Sequence, residues 1–279
     1  MSVRIIVDSA VDLAPDIAQS VPVVPMTVAF GDEEFVDGVT ITHQAFYNRL
    51  IESDVIPTTS QATPAAFDAV FSRIAAAGDS AVVITVAHQL SGTCQSARIA
   101  AAEYPDFYVV DSGSVTIGAG ILAEYALACA QQGMCAREVA AALEEKKAHI
   151  RLIAMLDTLE YLKRGGRISA TVAFAGGLLN IKPVVDIQAG VIHILGKARG
   201  SRQGNNLLVQ EIEKAGGIDF SMPILLGYTG LTDTLLQKYI ADSAHLWENG
   251  TADLRFTSIG SVVGTHAGPG AVAAAFFKK

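Results

Sequence analysis

The stretch AVVITVA, residues 81–87, decides the class of fold, because it is a β-branched apolar run that only Thr85 interrupts. A run of this kind is typical of a strand that is covered on both faces, as in a parallel sheet between helices. A second run, FYVV at 107–110, follows after a helical pattern over 92–103. Strands that alternate with helical patterns predict an α/β domain with a mostly parallel sheet flanked by helices.

Capping residues mark the helix starts of this first half. Thr42 is a predicted N-cap, and Thr63 followed by Pro64 predicts a second helix that runs to about residue 78. The apolar face of the helix after Thr42 is expected to carry Phe46, Leu50 and Ile51. The other predicted elements are strands over 3–7 and 23–30 and helices over 115–132 and 136–148.

After His149 the pattern changes. Apolar runs at 184–187 and 191–195 flank Gln188-Ala189-Gly190, which predicts a hairpin, an antiparallel pairing that is not expected upstream. We therefore expect an N-terminal α/β domain over 1–155 and a C-terminal α+β domain with a mixed sheet over 156–279. Its further elements are predicted at 203–215 (helix), 223–228 (strand), 232–246 (helix) and 254–259 (strand), with 264–277 returning to the first domain or the interface.

Composition excludes several classes of protein. The 279 residues are 51% hydrophobic and 17% charged, so the chain is not disordered. A net charge of −8 argues against nucleic-acid binding, which needs basic surface. The three cysteines form no C-x-x-C pair, and the histidines show no metal-ligand spacing. The apolar run at the start of the chain is too short for a signal peptide, and no stretch of the sequence approaches the ~18 apolar residues of a membrane span, so we expect a cytoplasmic protein. Because the sequence shows neither metal-ligand spacing nor a nucleotide-binding motif, we expect no metal and no cofactor.

Small polar residues collect in four loops that follow or precede predicted elements. Loops at the carboxyl ends of strands share one rim of an open α/β sheet, and hydroxyls with helix-start amides suit an anion. The simpler alternative is that these residues only cap helices and form turns. The loops are Asp8-Ser9, Thr59-Ser60-Gln61, Ser91-Gly92-Thr93 and Asp111-Ser112-Gly113-Ser114.

Two basic residues stand out in the second half. Arg167 follows Gly165-Gly166, where the backbone turns tightly, and its guanidinium suits a carboxylate or phosphate. His266 lies in the glycine-rich loop 264–270. A serine esterase or acyltransferase that uses Ser91 and His266 is the enzymatic alternative, although the G-x-S-x-G nucleophile motif is absent. A regulatory or structural protein that binds no lipid is a third interpretation.

Eight strings in this sequence resemble, in order, those of the DegV family of bacterial fatty-acid-binding proteins, which includes the binding subunit of fatty acid kinase. The strings are VDSAVDL from Val7, TTSQATP from Thr58, LSGTCQSA from Leu90, VVDSGSVTIGAG from Val109, YLKRGGRIS from Tyr161, KPVV from Lys182, GYTG from Gly227 and GTHAGPGA from Gly264.

The resemblance implies a two-domain carrier with no catalytic residue and no nucleotide site of its own. A long-chain fatty acid would lie in an apolar tunnel between the domains, and an ATP-dependent kinase would convert its presented carboxylate to an acyl phosphate. By motif, the residues implied for the carboxylate are Thr59, Ser91, Arg167 and His266. The residues implied for a secondary head-group loop are Ser60, Gly92 and Ser112.

Two positions depart from the family pattern. Ala62 stands where the family has proline, and His88-Gln89 stands where small serines are more typical. Five basic residues are candidates for a face toward the kinase or, transiently, a membrane surface, with solubilising charge as the alternative. They are Lys163, Arg164, Lys197, Arg199 and Arg202.

Overall fold

The computed structural model describes residues 2–168, 180–247 and 254–279. The strands in these ranges are β1 (Val3–Asp8), β2 (Val23–Val24), β3 (Thr27–Phe30), β4 (Glu33–Val36), β5 (Thr58–Ser60), β6 (Ser80–Thr85), β7 (Phe107–Asp111), β8 (Ile150–Met155), β9 (Ile181–Gln188), β10 (Val191–Arg199), β11 (Leu225–Tyr228), β12 (Phe256–Ser258) and β13 (Val272–Phe277). The α-helices are α1 (His43–Glu52), α2 (Pro64–Ala76), α3 (Thr93–Ala101), α4 (Thr116–Gln131), α5 (Ala136–Lys146), α6 (Glu160–Arg164), α7 (Gly200–Lys214), α8 (Thr234–Asp242), α9 (Ala244–Trp247) and α10 (Ser261–Ala267).

The first half is built on a parallel sheet with the order β2-β1-β6-β7, which confirms the predicted α/β class. All six residues of β6 are buried. Val82 and Ile84 pack with residues of α4 and α5, whereas Ala81 and Val83 face α2 and α3. The apolar run at 81–87 is therefore continuous because successive side chains enter two different cores.

The single strand predicted over 23–30 is wrong. Val23–Val24 pairs with β1, and after Pro25 the chain enters a separate antiparallel sheet with the order β4-β3-β5. Proline has no amide hydrogen to continue the ladder, which explains the break. This small sheet is also an antiparallel pairing upstream of the hairpin, which the sequence did not lead us to expect.

Helix α1 begins after Thr42 as predicted, but its buried face differs from the expectation. The hydroxyl of Thr42 accepts a hydrogen bond from the amide of Ala45 at 3.2 Å, so it is the N-cap. Phe46 and Leu50 are buried, but the third buried residue is Tyr47, and Ile51 is 54% exposed. Ile51 lies about 100° around the helix from Leu50, beyond the edge of the buried face.

The second half is a six-stranded mixed sheet with the order β10-β9-β8-β13-β11-β12. The predicted hairpin is confirmed as β9–β10, and its turn residues Ala189 and Gly190 have φ of 48° and 79°, as a type I′ turn requires. Strand β8, which precedes the expected boundary at residue 155, pairs within this sheet. The C-terminal strand β13 lies between β8 and β11, and the predicted helix over 232–246 is divided into α8 and α9.

Helix α4 joins the two halves. One apolar cluster contains Ile117 and Ile121 of α4 together with Ile84 of the parallel sheet and Ala273 and Phe277 of the mixed sheet. The opposite face of the mixed sheet packs against α7 and α8. No helix in the described part of the chain is long and apolar enough to cross a membrane.

We predict that Gly120→Ala in α4 lowers the free energy of unfolding by about 1–3 kcal/mol, because a Cβ there would overlap the backbone carbonyl oxygen of Asp12. Gly118→Ala is the matched control, since its Cβ would meet the rotatable Ser114 hydroxyl and lie 3.2 Å from Leu152 Cβ. Urea unfolding should show a larger loss for Gly120→Ala. Equal losses would mean that α4 does not depend on close approach to this loop.

Candidate functional site

A cavity lies between the two sheets and is lined mainly by aliphatic side chains. Ala10 and Val86, which follow β1 and β6, form one wall at the point where the strand order of the parallel sheet reverses, the usual ligand crevice of such folds. The cavity contains about 830 Å³ of space between atoms, including space open to solvent.

The mixed sheet supplies the opposite wall through the alternation of its side chains. Leu152 and Ala154 of β8 face the cavity, whereas Ile153 and Met155 belong to the core on the other side of the sheet. Neighbouring strands continue the apolar surface with Val185, Ile187, Ile192, Ala271 and Ala273.

All four residues that the family pattern implies for a carboxylate line this cavity, namely Thr59, Ser91, Arg167 and His266. They come from four separate segments: β5, the loop before α3, the loop after α6, and α10. Thr59 and His266 are joined directly, because Thr59 Oγ1 and His266 Nε2 form a hydrogen bond of 2.9 Å across 207 positions of sequence. The fold therefore brings polar residues from both halves of the chain into one mainly aliphatic cavity, and we call the part that these four residues line its polar end.

The imidazole of His266 is mostly buried and is held against backbone. Its Nδ1 has no hydrogen-bond partner among the described residues. A Cβ at Gly165 would overlap this nitrogen, so the absence of a side chain at Gly165 provides the space for the ring. Burial, followed by the nearby charge of Arg167, lowers the pKa of His266 to about 4. The ring is consequently neutral at pH 7.

Arg167 is fixed by backbone acceptors. Its Nε donates to the carbonyl oxygen of Leu90 at 3.1 Å, and one terminal nitrogen donates to the carbonyl oxygen of Gly165 at 2.6 Å. Leu90 belongs to the first half of the chain and Gly165 to the second, so the guanidinium bridges the two at the polar end of the cavity. A planar cation held in this way suits a carboxylate.

Ser91 is oriented by Thr93, a residue whose role the sequence did not reveal. The Ser91 and Thr93 hydroxyl oxygens are 2.8 Å apart, and the Thr93 amide donates to Ser91 Oγ at 3.3 Å. Thr93 Oγ1 also accepts from the amide of Ala62 at 3.3 Å, which connects this loop to the segment that follows Thr59. Ala62, one of the two departures from the family pattern, is buried at this contact.

The three secondary candidates do not line the cavity. Ser60 is exposed, because Thr59 occupies the inward-facing position of the same short strand. Gly92 is the N-cap residue of α3 and lies close to Gln61. The Ser112 hydroxyl donates to the carbonyl oxygen of Ser114 at 3.0 Å within a turn.

The second departure, His88, also lies outside the cavity. Its Nδ1 contacts a carboxylate oxygen of Asp111 in a polar crevice beside the parallel sheet. Thr116, by contrast, lines the cavity although nothing in the sequence singled it out, since a threonine at the start of a helix is common.

The geometry does not assemble the machinery of a serine hydrolase from Ser91 and His266. Ser91 Oγ forms a hydrogen bond with Thr93, whereas His266 Nε2 forms one with Thr59. No acidic partner contacts His266 Nδ1 among the described residues, so nothing there orients the ring as a general base. The described residues also contain no group of three metal-ligating side chains.

Comparison with known proteins gives a consistent result. A family model described as "Uncharacterised protein, DegV family" matches residues 2–279 of the sequence. A DegV domain-containing protein of Caldanaerobacter subterraneus is 31% identical over 283 residues, covering 99% of both chains.

Two solved structures are similar over nearly their whole length. A fatty-acid-binding DegV family protein from Thermus thermophilus has a TM-score of 0.88 and 28% identity, with 100% of both chains covered. A stearic-acid-binding protein from Eubacterium ventriosum has a TM-score of 0.87 and 26% identity, covering 100% of this chain and 99% of the other.

We predict that His266 titrates near pH 4 in NMR spectra of the folded protein, well below the usual value of about 6.5. Arg167→Gln should raise the midpoint only part of the way, because burial is the larger cause of the lowered pKa. The variant His266→Gln assigns the signal. A midpoint near 6.5 in the wild-type protein would show that the ring is solvated.

Proposed function

This chain belongs to the DegV family, and from that premise we propose that it binds a long-chain fatty acid in the cavity between its two sheets. The observation that carries the proposal is that one aliphatic cavity has Thr59, Ser91, Arg167 and His266 on its lining. The fatty-acid-binding relatives from Thermus thermophilus and Eubacterium ventriosum support the same class of ligand.

The aliphatic walls account for affinity toward the acyl chain. Burying ~16 methylenes at ~0.8 kcal/mol each contributes ~13 kcal/mol before the costs of association are subtracted. The aliphatic walls would therefore be the main source of affinity for such a ligand.

The polar residues address the cost of burying the head group. A carboxylate that leaves water needs several donors, and charge-assisted hydrogen bonds are the strongest available. Because Thr59 can accept a hydrogen bond from the neutral imidazole of His266, its own hydroxyl hydrogen remains available to the carboxylate. Ser91 supplies a second hydroxyl, and the guanidinium of Arg167 balances the negative charge.

We further propose that the protein is a carrier, which presents the carboxylate to a separate kinase. A carboxylate oxygen would attack the γ-phosphorus of ATP on the kinase, forming an acyl phosphate and releasing ADP. Thr59 and Ser91 are only partly buried, which supports a head group near the cavity mouth. The resemblance of the motif strings to a family that includes the binding subunit of fatty acid kinase supports this step, and we expect it to occur in the cytoplasm.

We propose that the five basic residues form the surface that contacts the kinase or, transiently, a membrane. Lys163 and Arg164 are exposed on α6, where Arg164 pairs with Glu160 at 2.6 Å. The others lie on β10 and at the start of α7, and are Lys197, Arg199 and Arg202.

We predict that the purified protein retains a long-chain fatty acid, detected by mass spectrometry of a solvent extract. Thr59→Ala and Ser91→Ala should each weaken binding by about 1.5–3 kcal/mol, the usual contribution of a hydrogen bond to a charged group. Ser60→Ala is the matched control on the outer side of the same strand. Unchanged occupancy in the Thr59→Ala, Ser91→Ala double variant would refute the assignment of the head group.

We predict that Ala273→Leu shifts the retained fatty acids toward chains shorter by about two to three carbons, because the larger side chain fills part of the cavity. Val191→Leu is the control, since Val191 is exposed at the hairpin. Mass spectrometry of both variants gives the chain-length distribution, and an unchanged distribution in Ala273→Leu would place the acyl chain elsewhere.

A further inference from the structure

Asp12 belongs to the VDSAVDL string, and the proposed binding of the carboxylate does not use it. Its side chain is buried and lies behind the cavity wall rather than in it. One carboxylate oxygen accepts a hydrogen bond from the hydroxyl of Thr116 at 2.6 Å. The other accepts from the backbone amide of Gly260 at 2.8 Å. A single buried carboxylate therefore connects the first turn of α4 to the residue that precedes α10.

Both segments that Asp12 connects form walls of the cavity. Val115 and Thr116 line it at the start of α4, and Val262, Val263 and His266 line it from α10. His266 in turn makes the 2.9 Å hydrogen bond to Thr59. The position of α10 therefore determines whether the imidazole reaches its partner at the polar end.

Thr116 is held in an unfavourable backbone conformation. Its φ is +47°, a region that β-branched residues rarely occupy. Its amide donates to the carbonyl oxygen of Ala10 at 2.7 Å, and its hydroxyl donates to Asp12. Conformations of this kind persist only where the surrounding contacts impose them, and they concentrate at functional sites.

The two residues that precede α10 also make close contacts. A Cβ at Gly260 would lie 2.9 Å from His43 Nε2 and 3.1 Å from Asp12 Oδ1, so any side chain there would require the His43 ring to shift. The hydroxyl of Tyr47 donates to the carbonyl oxygen of Ile259 at 2.9 Å, which fixes the preceding residue.

We propose that Asp12 is a positioning residue that holds α10 against α4 and thereby maintains the Thr59–His266 contact at the head group. This inference rests on the proposed fatty-acid binding and extends it to a residue that does not touch the ligand. The role needs a bridge between one hydroxyl and one amide rather than a negative charge. An asparagine at this position provides the same bridge, because its amide oxygen accepts from Gly260 and its amide nitrogen donates to Thr116.

The test measures the dissociation rate of cis-parinaric acid from the full-length protein, together with the NMR signals of the His266 ring. We expect Asp12→Ala to accelerate dissociation about tenfold or more and to shift the His266 signals, with Asp12→Asn within about threefold of the wild type. Thr116→Val replaces the hydroxyl donor with a methyl group and should accelerate dissociation and shift the His266 signals, whereas Thr116→Ser, which keeps the hydroxyl, should leave the His266 signals in place.

A control separates positioning from general loss of stability. Ile212 lies in the core on the far face of the mixed sheet, so Ile212→Val lowers Tm without affecting the cavity. We expect it to leave both the dissociation rate and the His266 signals unchanged. If Asp12→Ala does not fold, the Thr116→Val and Thr116→Ser pair decides the question alone.

Wild-type dissociation rates or unmoved His266 signals in Asp12→Ala and Thr116→Val would overturn the inference. Equal damage in Asp12→Asn and Asp12→Ala would also overturn it, since charge and not bridging would then be the requirement. Failure of the wild-type protein itself to bind cis-parinaric acid or to retain any fatty acid is a different result, which refutes the proposed function.

Discussion

The hydrogen bond between Thr59 and His266 is the contact on which the arrangement of the cavity depends. It joins the small antiparallel sheet to the last helix, at the end of the cavity where Ser91 and Arg167 also lie. Two further features support this contact: Gly165 leaves room for the ring, and burial keeps the imidazole neutral. A neutral ring can exchange hydrogen bonds with a hydroxyl without adding a second buried charge beside Arg167.

Much of the fold was predictable because the relevant signals are local. The buried run at 81–87 indicated the parallel sheet, and Thr42 and Thr63 marked two helix starts. The errors arose at two kinds of position. One residue can change the direction of the chain, as Pro25 does, and a residue can lie just beyond the edge of the buried helix face to which it was assigned, as Ile51 does. The place of β13 in the centre of the second sheet depends on pairing over more than a hundred residues, for which no local signal exists.

The candidate site was also predictable only in part. Membership of the family, inferred from eight short strings, is confirmed, and the four principal residues implied by it line one cavity. Their roles toward a carboxylate remain predictions. Only the family motif separated Thr59 from Ser60, because the choice depends on which face of β5 turns inward. The contacts of Thr93, Thr116 and Gly165 could not be predicted for a related reason: each acts on a neighbour in space, and the motif around it does not identify that neighbour.

The central position of β13 also affects how the molecule is made. On a ribosome, the parallel sheet can form while the rest of the chain is still being synthesised, because β1, β2, β6 and β7 all lie within the first 111 residues. Strands β8 and β11 have no common neighbour until residues 272–277 emerge and insert between them. The apolar wall that includes Ala271 and Ala273 therefore cannot be completed until residues 272–277 have been synthesised and have paired with both strands.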